Sequence, residues 1–151
     1  MPKGSTGLVP FLVADGAAKA IDWYGEVFGA ETASRFDGPD GIVYHAQLRL
    51  PNGCVMELGD PSEALGLAAG GAGHGVVLTV WCPDMDAVHG RAVAAGAREL
   101  SAPEDGFTGD RMSRIVDPYG HRWVVATHVE DVSDEEIARR IAAMGAGGDV
   151  A

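Results

Sequence analysis

Arg111–Met112–Ser113–Arg114–Ile115–Val116–Asp117–Pro118–Tyr119–Gly120–His121–Arg122–Trp123–Val124–Val125–Ala126–Thr127–His128 reads as two strands joined by an Asp-Pro-Tyr-Gly turn, and it has a counterpart upstream. The counterpart is Gln47–Leu48–Arg49–Leu50–Pro51–Asn52–Gly53–Cys54–Val55–Met56–Glu57–Leu58. In both, Pro presets φ for the first turn position, and a Gly two residues later can take the positive φ that re-enters a strand. Pro51 and Pro118 stand 67 residues apart, as do Gly53 and Gly120, Gly29–Ala30 and Gly96–Ala97, Ala20 and Ala87, and Val13 and Val80. These matches fall on helix ends and hairpin turns, so they indicate an internal duplication.

Working outward from the hairpins, each half reads strand, helix, strand, strand, strand. Leu8–Val13 is the first strand, with Pro10 marking an edge. Asp15 precedes Ala17, Ala20, Ile21, Tyr24, Val27 and Phe28, a helical spacing that buries one face before Gly29 ends the helix. Glu31–Phe36 is a strand, Phe36–Gly41 a loop, and Ile42–Leu50 with Cys54–Gly59 the first hairpin. Pro61–His74 is a Gly/Ala-rich connector, long enough to arch over a cavity. Gly75–Trp81, a helix over Pro83–Ala95, a brief strand at Arg98–Ser101, a loop over Ala102–Asp110 and the final hairpin complete the second half. Ser133–Asp134–Glu135–Glu136 has capping-box form ahead of an Ile137, Ile141 and Met144 stripe. The expected fold is α+β. Two tandem βαβββ modules, about 8–60 and 75–128, form a curved mixed sheet around a cavity, and a tail helix covers about 133–144, all within one domain of 151 residues.

Composition narrows the function. With 11 Lys+Arg against 22 Asp+Glu the chain carries a formal charge of −11, which argues against a nucleic-acid partner. Asp15 interrupts the apolar run Gly7–Ala14, and only Lys3 is basic before it, so neither a signal peptide nor a membrane span is expected. Cys54 and Cys82 lack metal-type spacing and read as reduced thiols of a cytoplasmic protein. No Gly-x-Ser-x-Gly or phosphate loop is present, and neither Cys has a base nearby in sequence.

Helices on one side of each sheet leave the opposite faces for each other or for a ligand. The turn geometry pairs Leu50 with Cys54, hence Gln47 with Glu57 and His45 with Gly59; in the second half it pairs Arg114 with Val124 and Met112 with Ala126. Period-two alternation then gives one face bearing His45, Gln47 and Glu57, with Met112, Arg114 and Val124 from the second half. The other face reads Ile42, Tyr44, Ala46, Leu48, Met56 and Leu58, suited to packing under a helix. His121 is expected at a surface or edge, and His89 exposed on the second helix.

Leu12–Val13–Ala14–Asp15, Ala20–Ile21–Asp22–Trp23–Tyr24, Val27–Phe28–Gly29–Ala30, Gly109–Asp110–Arg111 and Asp117–Pro118–Tyr119–Gly120–His121–Arg122–Trp123 together resemble the vicinal oxygen chelate superfamily, over roughly residues 8–132. That superfamily includes glyoxalase I, extradiol dioxygenases and the bleomycin- and fosfomycin-resistance proteins. The ending Ala126–Val132 is similar to its PhnB-like branch. The resemblance implies homodimers, with each cavity built from two modules, and, in metal-using members, an ion held from the first and fourth strands of each half. Those places fall here on Val9, Glu57, Gly75 or Val76, and Val124. Only Glu57 is a donor, whereas a catalytic divalent ion takes about three protein ligands. Glu57 is instead expected to pair with Arg114 or to bond Gln47.

The expectation is therefore a metal-independent small-molecule-binding protein without a cofactor, of the kind that sequesters a natural product or antibiotic, with Val9, Phe11, His45, Gln47, Glu57, Val76, Met112, Arg114 and Val124 lining the site. No catalytic residue is assigned. Two competing readings stay open. One is a lyase, isomerase or dioxygenase in which Glu57 with His74, His45 or His128 completes an unusual metal centre; the other is a dimeric module with no ligand.

Overall fold

The computed structural model describes residues 7–70 and 75–146. The first half runs β1 (Phe11–Val13), α1 (Ala17–Phe28), β2 (Glu31–Asp37), β3 (Val43–Arg49) and β4 (Val55–Gly59). The second runs β5 (Val77–Trp81), α2 (Met85–Ala94), β6 (Arg98–Asp105), β7 (Asp110–Val116) and β8 (Arg122–His128), and α3 (Asp134–Ala146) follows. The strands form two open four-stranded sheets in the equivalent orders β1-β4-β3-β2 and β5-β8-β7-β6. In each, the strand before the helix runs parallel to its neighbour and the remaining pairs are antiparallel.

The duplicated punctuation has a physical basis. Gly29 and Gly96 follow α1 and α2 at φ 69° and 98°, and Gly53 and Gly120 close the two hairpins at φ 87° and 91°. Gly29 also makes room for the turn proline, since a Cβ there would lie 3.2 Å from Pro51 Cγ; at Gly96 the nearest atom, Pro118 Cγ, would be at an ordinary 3.7 Å, and the positive φ alone asks for glycine. The hairpin registers are those the turns dictate, with Gln47 opposite Glu57, Arg114 opposite Val124 and Met112 opposite Ala126.

One buried cluster spans both halves. Phe28 of α1 packs on Trp123 of β8 with ring centroids 4.8 Å apart, and Trp23 Nε1 donates to the Ala95 carbonyl at the end of α2 (2.9 Å). Asp117 ties the halves together from the second hairpin turn. Its buried carboxylate accepts from Tyr24 Oη (2.6 Å), Trp123 Nε1 (2.8 Å) and the amides of Tyr119 (2.9 Å) and His121 (3.0 Å). Burial first, and the Asp117 charge second, hold the Tyr24 hydroxyl well above its ordinary range, so it stays protonated as the donor. Asp60, at the end of β4, does similar service in the first half. It caps α1 by accepting from the Gly16 and Ala17 amides and also takes the Val43 amide.

Several local expectations are corrected. β1 begins at Phe11, after Pro10, which has no amide hydrogen to give a ladder. β6 continues to Asp105 through two register shifts where a loop was expected. Strict alternation fails in β3, where a register shift between Phe36 and Asp37 pairs His45 with Phe36 but Val43 with Asp37. Val43 and Ala46 are consequently buried, while Ile42 and Tyr44 (61% exposed) are not under the helix. His89 is buried rather than exposed, bonded to Ser113 Oγ and Glu99 Oε2, both at 2.8 Å. Ser133 does open α3 as its pattern implies, accepting the Glu136 amide at 3.2 Å. No helix of the described residues is long and apolar enough to cross a membrane.

Candidate functional site

β1, β3 and β4 bring Phe11, His45, Gln47 and Glu57 onto the helix-free face of the first sheet. Phe11 lies opposite Glu57 in the parallel pair, and Gln47 opposite Glu57 in the antiparallel one. Glu57 is the acid at the centre. One carboxylate oxygen is 3.4 Å from Gln47 Nε2 and the other 3.4 Å from His45 Nε2. Both contacts are at the long limit of a hydrogen bond, and the side chain keeps 28% exposure, so the carboxylate has unused acceptor capacity. The His45 ring stands between Phe11 and Phe36, with centroid distances of 6.1 and 6.2 Å. Phe36, 63% exposed, belongs to this group although the sequence reading left it out. Its pairing with His45 across β2 and β3 is the signal that could have placed it.

In the second half, Met112 and Arg114 stand on the corresponding face of β7, where the alternate residues Ser113 and Ile115 are buried on the α2 side. They line a cavity of about 400 Å³ together with the Asp105–Thr108 loop and Met144 of α3. Val124 pairs with Arg114 on β8 and is half-buried. Val76 is 70% exposed and, with Phe11, Leu78 and His121, borders a different cavity of about 300 Å³ between the β1 and β5 edges. Val9 lies ahead of β1, partly buried. Within the described chain, therefore, the Glu57 group and the Arg114 group stand apart. Arg114 is not the partner of Glu57; among the described residues, its guanidinium has no carboxylate within ion-pair distance and reaches only Met112 Sδ at 4.0 Å.

The histidines sort by partner. His121 is half-buried and bonds the Val13 carbonyl at 3.1 Å, bridging the halves. His128 does not approach Glu57; it is clasped between Asp110 (2.8 Å) and Asp131 (2.9 Å) at the root of the tail. His74 lies outside the described residues. Among the described residues no group of three or more His, Cys, Asp and Glu side chains stands where it could hold a metal ion. The side chains that converge here are the Glu57 carboxylate, the His45 imidazole and the Gln47 amide. The Ser113–His89–Glu99 chain has the partners of a nucleophilic relay, but Ser113 is fully buried beneath α2, where no substrate can reach it. Cys82 is equally unsuited, because burial pushes its thiol up and away from thiolate.

The clasp at the tail gives a pH dependence of definite sign. The Asp110 hydrogen bond, and next that of Asp131, hold His128 above its ordinary 6.5, while His128 and then Thr108 hold Asp110 below its ordinary 3.8. A raised imidazole contributes stability that is complete below its unfolded value and is lost as pH rises through the folded one. A depressed carboxyl contributes stability that is complete above its unfolded value and is lost as pH falls through the folded one. The clasp is thus whole between 3.8 and 6.5 and loosens toward alkaline pH. His128→Gln is expected to flatten the decline of stability as pH rises above 6.5 in denaturant titrations. An unchanged slope in the variant would refute that assignment.

Comparison with known proteins shows the family and the fold. The sequence pattern of the Glyoxalase/Bleomycin resistance protein/Dioxygenase superfamily matches residues 8–125. The uncharacterized protein Mb0911c of Mycobacterium bovis is 38% identical over 146 residues, covering 93% of this chain and 95% of that protein. The crystal structure of TioX from Micromonospora sp. ML1 superposes with a TM-score of 0.65 at 26% identity, covering 83% of this chain and all of the other. A PhnB protein from Bacillus cereus superposes with a TM-score of 0.63 at 21% identity, over 81% of this chain and 99% of that one, and shares the fold.

Proposed function

The chain belongs to the Glyoxalase/Bleomycin resistance protein/Dioxygenase superfamily, and from that premise we propose that it binds a small organic molecule on its helix-free sheet faces without a metal ion. The observation that carries this reading is the Glu57 group: one carboxylate with two long contacts, beside the Phe11, His45 and Phe36 rings. Aromatic rings next to a few convergent polar groups are the composition of an organic-ligand site. Sequestration of a natural product or antibiotic is the function that goes with such a site, and both cysteines, free thiols here, accord with a cytoplasmic protein. The protein acts as a homodimer in this reading. The separated Glu57 and Arg114 groups, and exposed Val76 and Val77 on the β5 side, leave surfaces for a second copy to cover.

A thermal-shift screen of planar natural products and of divalent ions tests the proposal. Organic ligands are expected to raise the melting temperature by several degrees at saturating concentration, and Glu57→Ala to remove most of that rise. Stabilisation by divalent ions alone, abolished in Glu57→Ala, would favour the metal-dependent enzyme instead.

A further inference from the structure

We propose that α3, which lies outside the duplicated modules, is the outer wall of a binding cavity for a flat aromatic carboxylate over the β7 face. The inference rests on the reading of the helix-free faces as ligand sites and adds to it which element closes the second one and what that half accepts.

Three observations build the cavity. Met144 of α3 and Met112 and Arg114 of β7 border the same space of about 400 Å³, with Phe107 in the loop between β6 and β7. The loop is pressed onto the sheet, since a Cβ on Gly106 would lie 3.4 Å from Met112 Cε. The helix is fastened at that position and does not merely lie near it. Gly109 O accepts the Val129 and Glu130 amides (2.9 and 3.0 Å), and Arg140 of α3 donates to Glu130 (2.9 Å) and to the Phe107 carbonyl (3.3 Å).

The lining gives the ligand class. Two thioethers and a phenyl ring are polarisable surfaces that favour an aromatic ring against them, and the volume accommodates a bicyclic molecule. Of the acids in the wall, Asp105 is held by Arg111 at 3.1 Å, and Glu104, paired with Met112 across β6 and β7, shares its face, so the ligand's carboxylate must sit at the Arg114 end of the cavity. Arg114 has no carboxylate within ion-pair distance among the described residues, and its planar fork matches one.

The chain has five methionines, so methyl-labelled methionine provides few and separable NMR signals. Met56 and Met85, buried in the core, serve as internal controls. On titration with naphthalene-2-carboxylate, the Met112 and Met144 methyl signals are expected to move together with one binding constant while the controls stay still. Movement of Met112 alone would overturn the role of α3 and leave the ligand-site reading standing; stillness of both would overturn both at this face. The carboxylate is expected to bind about tenfold more tightly than naphthalene-2-carboxamide, and Arg114→Gln to erase the difference. Equal binding of the two by the parent protein would overturn the assignment to Arg114. Without any ligand, Met144→Ala is expected to shift the Met112 methyl signal, and no shift would overturn the shared cavity.

Discussion

Replacing Asp117 by Ala is expected to lower the unfolding free energy by about 3–5 kcal/mol, as much as truncating a large core side chain. The reason is the number of donors that meet at one buried carboxylate. Tyr24 Oη, Trp123 Nε1 and two backbone amides all point at it, and Tyr24 comes from the other half of the chain. Ala would leave two buried side-chain donors without an acceptor and would release the turn that sets the β7–β8 register. Tyr24→Phe removes one of the four bonds while keeping the ring contacts with Phe28 and Trp123, so its cost is expected near 1–2 kcal/mol. Urea titrations at neutral pH read both values, with the midpoint falling and the slope unchanged. Equal costs for the two variants would mean that Asp117 is not the hub the hydrogen bonds describe.

Gly109→Ala is expected to be nearly as damaging, by about 2–4 kcal/mol, and to act mainly on the tail helix. Gly109 has φ 87°, where a Cβ is already unfavourable, and that Cβ would run into the Glu130 carbonyl and approach Val132 Cγ2 to 2.7 Å. Because the Gly109 carbonyl accepts the Val129 and Glu130 amides, a shift here moves the chain that leads into α3. Hydrogen exchange is expected to show loss of protection across α3 (Asp134–Ala146) at little cost to the first sheet. Protection of α3 as strong as in the parent protein would contradict the proposed fastening.

The contrast between what the sequence revealed and what it hid has physical causes. The 67-residue repeat was legible because its matches are glycines and prolines whose backbone demands are local, and φ at Gly29, Gly53, Gly96 and Gly120 meets them. The pairing of Gln47 with Glu57 followed for the same reason, since a tight turn fixes the register of the strands it joins. Tyr44 was misread because a bulge shifts alternation by one residue and leaves no unambiguous mark in the sequence. His89 was misplaced because a polar residue on a helix reads as exposed until its tertiary partners, Ser113 and Glu99, are known. The separation of the Glu57 and Arg114 groups, and the arrival of Met144 beside Met112, depend on how whole sheets and a tail helix pack. Those are long-range facts that strand periodicity does not carry.

Elemental analysis of the protein after exhaustive dialysis tests the central claim most directly. Far less than one divalent ion per chain is expected, with Glu57→Ala indistinguishable from the parent in metal content while losing the parent's affinity for organic ligands. One tightly held ion per chain that disappears in Glu57→Ala would show that Glu57 anchors a metal centre, and binding without a metal would no longer describe the site.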